Sequence, residues 1–140
     1  TEFEKTLLRL IKIRSSETWN LLSTSSFFKQ CSSYQKTWLE SIFIPLSINT
    51  PGVLLKAGDS VEYIYIIQEG EVFVTKNEFQ IKILNRGDFI GSMQKIYKKE
   101  PSSYTFTVKN NAKLFAMKKN DILIFAERNP GLLMKFFNEF

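Results

Sequence analysis

The residues with most to offer chemically lie between Gly87 and Val108, in the stretch GDFIGSMQKIYKKEPSSYTFTV. Gly91 lets a backbone approach another group closely, and Ser92, Met93 and Gln94 can open a helical turn directly after it. The first N–H groups of a helix have no intrahelical partner and its dipole favours negative charge there, so such a turn suits an anion. Lys95, Lys98 and Lys99 follow, and Ser102, Ser103, Tyr104 and Thr105 add hydroxyls. The chemistry on offer is anion capture. Each part also has a plainer reading. The lysine spacing suits a solvated turn at least as well as an inward clamp. The hydroxyls suit the polar alternates of a strand whose inward residues are Phe106 and Val108.

Covalent chemistry has little support. Histidine is absent, which removes Ser-His-Asp and Cys-His nucleophilic sites and most zinc sites. No acidic cluster suggests a carboxylate-only metal or acid–base centre, so the chain is not expected to be an enzyme or to carry a metal. Cys31 is the sole cysteine, so no internal disulfide can form, and a reduced, cytoplasmic compartment fits. With no His or cationic cluster to activate it, Cys31 reads as a small buried apolar side chain. The net charge of +5 permits an acidic partner without requiring one. The basic residues are scattered, Lys118, Lys119 and the region around Arg9 and Arg14 reading as solvated faces, so nucleic acid is not expected. No apolar run approaches the roughly 20 residues of a bilayer span, and no signal-peptide pattern opens the chain.

These residues must be positioned by a fold that 140 residues can build as one domain. From Glu2 to Ile13 the apolar residues Phe3, Leu7, Leu8, Leu10 and Ile11 recur at helical spacing. A new start at Ser15–Glu17 leads to Trp19, Leu21 and Leu22, and a turn at FFKQCS precedes a helix at roughly Ser33 to Ile42. Near Phe43 the period changes. Strands are predicted at 43–48, 53–56, 62–67, 71–76, 79–84, 104–109 and 112–117, separated by turns at Gly58-Asp59, Glu69-Gly70, Asn77-Glu78, Gly87-Asp88 and Asn110-Asn111. Asp59 and Asp88 read as turn residues that satisfy local backbone donors. Asn120 is expected to cap a helix carrying Ile122, Leu123, Phe125 and Ala126. The stripe Phe125, Phe136, Phe137 and Phe140 suits either core or a docking face. The fold expected is mainly β with flanking helices: an antiparallel, jelly-roll-like β-roll. Its parts are an N-terminal helical subdomain at 1–42, the roll at 43–119 with the anion-capturing segment at 87–108, and C-terminal helices at 120–140. Both ends fall inside amphipathic patterns, as in a piece of a longer polypeptide.

From about Leu21 to Phe137 the chain resembles the cyclic-nucleotide-binding domain family. The pieces that carry the likeness are FFKQCS, PGVLLKAGDSVEYIYIIQEGEVFV, ILNRGDFIGS and TVKNNAKLFAMKKNDILIF. Within them Gly52, Leu55, Gly58-Asp59, Tyr65, Gly70-Glu71-Val72 and Gly87-Asp88-Phe89-Ile90-Gly91 fall where the family places its signature. The resemblance implies a non-catalytic regulatory β-roll whose terminal helices contact other domains of the same polypeptide or protein partners. It also makes residues 87–108 the phosphate-binding cassette.

In that cassette a Glu accepts the ribose hydroxyl and an Arg neutralises the phosphate. Here the Glu position holds Ser92. The Arg position is Pro101 counting on from Gly91, Ser102 anchoring on Pro101, or Tyr104 counting back from Thr107-Val108, and none is basic. Losing the charged partner of a desolvated phosphate costs about 2–5 kcal/mol. Losing the carboxylate–ribose bond adds roughly 1.5–3 kcal/mol. At about 1.4 kcal/mol per decade the combined loss is on the order of a thousandfold or more. The ligand sites expected are therefore degenerate (Gly91, Ser92, Met93, Lys95, Ser102, Ser103 and Tyr104), with cAMP or cGMP held weakly or not at all and no resident cofactor. The competing expectation is a working sensor of a cyclic nucleotide or another anion, gripped by the cassette lysines.

Overall fold

The computed structural model of the chain describes residues 18, 20–22 and 31–133. Trp19, Phe27, Phe28 and the expected elements before residue 18 and after 133, with Phe136, Phe137 and Phe140, lie outside them. Residues 18 and 20–22 are helical, and Leu21 and Leu22 are fully buried. Helix α1 spans Ser33–Ile42, as its periodicity predicts. Its start is a reciprocal cap: the Ser32 hydroxyl accepts the Gln35 N–H at 3.1 Å, and Gln35 Oε1 accepts the Ser32 N–H at 2.8 Å.

Eight strands follow: β1 Ile44–Ile48, β2 Gly52–Leu55, β3 Tyr63–Glu69, β4 Val72–Lys76, β5 Phe79–Leu84, β6 Phe89–Ile90, β7 Thr105–Val108 and β8 Ala112–Lys118. They form two antiparallel sheets, ordered β1-β8-β3-β6 and β2-β7-β4-β5. Seven strands are predicted from the sequence; the eighth, β6, has only two residues, too few to show an alternation, and exists by pairing Ile90 with Tyr65 and Phe89 with Ile66. The β4–β5 hairpin turns on Asn77 and Glu78, both at positive φ (52° and 70°), the backbone that a two-residue hairpin turn needs. The Asp88 carboxylate accepts the Asn85 N–H at 2.8 Å, the local role expected of it. Asp59 works through its backbone instead, its N–H donating to the Lys56 carbonyl at 3.0 Å.

The sheet containing β3 and β8 is apolar on both faces, so these strands divide their side chains between two cores. Ile67 and Leu114 join Val72, Val74, Leu84, Ile90 and Phe106 between the sheets. Ile64, Ile66, Phe115 and Met117 face the helices, where they meet Leu21, Leu39, Met93, Ile122 and Phe125. Full burial of each such side chain contributes roughly 1.5–3 kcal/mol. Trp38 meets Phe125 edge to face at 5.3 Å between centroids, which places Phe125 in the core.

Helix α2 spans Met93–Lys98, α3 spans Lys119–Arg128 and α4 spans Pro130–Leu133. The start of α3 corrects two expectations. Asn120 lies inside the helix, and Lys118 holds the cap position without a side-chain cap bond. Strand β8 runs into α3 with no loop between them, so the first free N–H, that of Lys119, meets the start of β3 and donates to the Glu62 carbonyl at 3.0 Å. Lys119 is thus not simply a solvated cation, since its ammonium also pairs with the Glu62 carboxylate at 2.8 Å. Pro130 opens α4, where its missing N–H leaves nothing unsatisfied. No helix among the described residues is long and apolar enough to cross a membrane.

Candidate functional site

The segment between β6 and β7 folds as a short helix flanked by two tied loops. Gly91 opens it at φ 101°, in the region L side chains avoid. A Cβ there would come within 3.0 Å of both the Tyr63 carbonyl and Ile64 Cδ1, so Gly91 permits a close approach to β3. Ser92 occupies the N-cap position of α2 with extended backbone (φ −105°, ψ 125°), buried and without a side-chain cap bond; its carbonyl accepts the Ile96 N–H at 3.3 Å. Met93 and Ile96 point into the helix-side core and anchor α2 on it. Met93 is therefore placed among apolar side chains, on the face of β3 away from the inter-sheet core.

Helix α2 closes on Lys99, which takes a left-handed backbone (φ 54°, ψ 39°) and donates its N–H to the Ile96 carbonyl at 3.2 Å. The reversal brings Glu100 back against the helix, where its carboxylate pairs with the Lys95 ammonium at 3.2 Å. Lys98 and Lys99 are exposed. Lys95 thus already holds an anionic partner of its own chain.

The second loop is bound to the β2–β3 connection. Ser102 donates its N–H to the Asp59 carbonyl at 2.9 Å and accepts the Gly58 N–H at 2.8 Å. Its buried hydroxyl turns back on its own loop, donating to the Tyr104 carbonyl at 2.7 Å and accepting the Tyr104 N–H at 3.3 Å. Ser103 is half-buried. Tyr104 packs against the inter-sheet core, and the Lys76 ammonium lies 5.5 Å from its ring centroid. Lys76 is a cation at this site that sequence reasoning missed. It arrives because β4 pairs with β7, Thr75 opposite Thr105, and nothing local in the sequence signals that pairing.

The seven candidate residues are therefore divided. Gly91, Ser92 and Met93 lie at the start of α2 against β3, whereas Ser102, Ser103 and Tyr104 lie at the start of β7 on the β2–β3 connection. Lys95 stands between them on α2, directed toward Glu100. Two of the clefts among the described residues lie on the segment or on the β2–β3 connection bound to it. One, of about 510 Å³, lies between β2 and β3 and includes Leu55, Lys56, Asp59, Tyr63 and Tyr65. The rings of Tyr63 and Tyr65 lie 6.0 Å apart, and burial, with Tyr63 beside it, raises the Tyr65 hydroxyl above its ordinary pKa. The other cleft, of about 480 Å³, separates α2 from α3. Beside it, the hydrogen bond from Lys119, then that from Ser60, holds the Glu62 carboxyl below its ordinary pKa.

Among the described residues, no three His, Cys, Asp or Glu side chains come together as a metal site would require. What the segment offers is hydrogen-bond donors, hydroxyls and ammonium groups around a roll.

Comparison with known proteins gives three kinds of likeness. Residues 48–129 match the family model of the cyclic nucleotide-binding domain. A cGMP-dependent 3',5'-cGMP phosphodiesterase A of Dictyostelium discoideum is 26% identical over 140 residues, covering 99% of this chain and 16% of that protein. A cGMP-dependent protein kinase of Toxoplasma gondii is 28% identical over 105 residues, covering 75% of this chain and 10% of the kinase. The chain thus spans a small part of the curated relatives it matches. Among solved structures, the regulatory domain of Toxoplasma gondii PKA with cAMP superposes with a TM-score of 0.77 at 16% identity, covering 89% of this chain and 49% of that one.

Proposed function

The chain belongs to the cyclic nucleotide-binding domain family, and from that premise we propose that it is a regulatory or interaction module in which the grip on cAMP and cGMP is weak or lost. The observation that carries this reading is Ser102. It stands where the family's cassette has its arginine when Pro101 is the anchor, and its hydroxyl is engaged with the Tyr104 backbone rather than turned outward. A neutral, self-satisfied hydroxyl offers a phosphate no charge. Ser92 stands in the glutamate position, and a hydroxyl there is a weaker partner for a ribose hydroxyl than a carboxylate. Lys95 is directed toward Glu100.

The module has no catalytic role in this reading. It acts through contacts of its helical subdomain at 1–42 and its C-terminal helices at 120–140, with the roll at 43–119 as the rigid part between them. Its partners are other domains of the same polypeptide or separate proteins. The lone Cys31 suits a reducing, intracellular compartment. Calorimetric titration and thermal shift with cAMP and with cGMP test the proposal. Affinity no better than about millimolar is expected; micromolar binding of either nucleotide ends it.

A second reading has one observation in its favour, the fold shared with a domain whose structure contains cAMP. In that reading the roll is a working sensor and Lys95, Lys98 or Lys99 replaces the arginine. It requires steep salt dependence and loss of nucleotide binding in Lys95→Ala, Lys98→Ala or Lys99→Ala.

A further inference from the structure

The cleft between α2 and α3 is lined by the apolar Val61, Ile96 and Leu123 and by the three cationic residues Lys95, Lys99 and Lys119. Glu100 in the lining and Glu62 beside Lys119 offset two of these three charges, leaving one in excess. Two of the three ammonium groups already bind carboxylates here, Lys95 to Glu100 at 3.2 Å and Lys119 to Glu62 at 2.8 Å. Those carboxylates are about half exposed, at 46% and 52%, and exposed ion pairs contribute little, so an incoming acid can replace them at small cost. Among the described residues no carboxylate pairs with Lys99. Lys99 also holds a left-handed backbone that L side chains adopt only with strain. Its position presents a third cation to the cleft while turning the chain back toward Glu100.

From this arrangement we infer that the α2–α3 groove is a docking site for an acidic, partly apolar segment of a protein partner. An apolar side chain of the partner covers Val61, Ile96 and Leu123, and its carboxylates meet Lys95, Lys99 and Lys119. An amphipathic helix with acidic residues flanking a leucine stripe has the required pattern. The groove shares Lys95 and Lys99 with the sensor reading, but its occupant is a peptide rather than a nucleotide, so peptide binding and cAMP or cGMP binding are measured separately and fail separately.

The test uses the whole 140-residue chain, isotopically labelled for NMR, with three synthetic peptides of repeated Glu-Glu-Leu-Leu, Gln-Gln-Leu-Leu and Lys-Lys-Leu-Leu blocks. The glutamate peptide alone should bind, shifting the amides of Val61, Ile96 and Leu123, and binding should weaken as salt is raised. Lys99→Gly, which removes the cation and relieves the backbone, and Lys95→Glu should each weaken binding about tenfold, while Lys82→Glu, outside the groove, should not. Equal binding of the glutamine peptide, shifts confined to other surfaces, or no binding of the glutamate peptide overturns the inference. So does inorganic phosphate that shifts the same amides and displaces the peptide at matched ionic strength, which would make this a phosphate site.

Discussion

The backbone N–H of Ser102 donates to the carbonyl of Asp59 at 2.9 Å, tying the loop that leaves α2 to the turn between β2 and β3. The Gly58 N–H returns the contact to the Ser102 carbonyl at 2.8 Å. Backbone bonds such as these do not depend on which side chain residue 102 carries. An arginine at that position leaves both of these backbone bonds possible, while it gives up the two hydroxyl bonds to the Tyr104 backbone.

Installing the missing charges should therefore restore a grip. Ser92→Glu with Ser102→Arg is expected to strengthen cAMP or cGMP binding by on the order of a thousandfold, with Ser102→Arg alone supplying about thirtyfold or more. Isothermal titration of the single and double variants measures this. No gain in the double variant would mean that something other than the two absent charges closes the site.

Gly91 has no room for a side chain. Gly91→Ala places a Cβ within 3.0 Å of the Tyr63 carbonyl at a φ of 101°, so it should destabilise the fold by about 1–3 kcal/mol. Urea unfolding should show an earlier midpoint with an unchanged slope. A midpoint equal to that of the parent chain would contradict the close packing of α2 on β3.

Lys99→Gly should act in the opposite direction. The left-handed position costs an L residue about 1–2 kcal/mol, and glycine's greater freedom when unfolded returns roughly half of the gain. A net stabilisation of about 0.5 kcal/mol is expected, raising the melting temperature by roughly 1–3 °C. Calorimetry would refute it by showing a fall.

The Glu62–Lys119 pair predicts a pH dependence. Glu62 has a folded pKa below the ordinary carboxylate value of 4.5, so its contribution is present above that value and is lost as pH falls through the folded pKa. Glu62→Gln should thus be less stable than the parent near neutral pH and indistinguishable from it in acid, with the gap narrowed by salt because both side chains are exposed. Matched urea titrations at pH 7 and near pH 3 measure both limbs. A gap that widens in acid would reverse the assigned sign.

Much of the architecture is legible one segment at a time. Helix α1 is readable from the turn at FFKQCS that precedes it, and the turns are readable because Gly58, Gly70 and Gly87 sit where backbones take positive φ. The missing cassette charges are equally plain, since residue types are visible wherever they fold. The partners are not. Asn120 has the chemistry of a cap, yet the helix begins at Lys119 because β8 delivers it directly onto Glu62. Lys76 reaches Tyr104 only through the pairing of β4 with β7, and β6 exists only because β3 has an edge for it.

Period, turn chemistry and residue type act over a few neighbours, and those the chain determined by itself. Which cation meets which ring, which carboxylate occupies Lys95, and that Ser102 spends its hydroxyl on Tyr104 were decided by the tertiary structure. These contacts join side chains whose directions depend on strand register and on the packing of α2 and α3 over the sheet. No short window of sequence contains both.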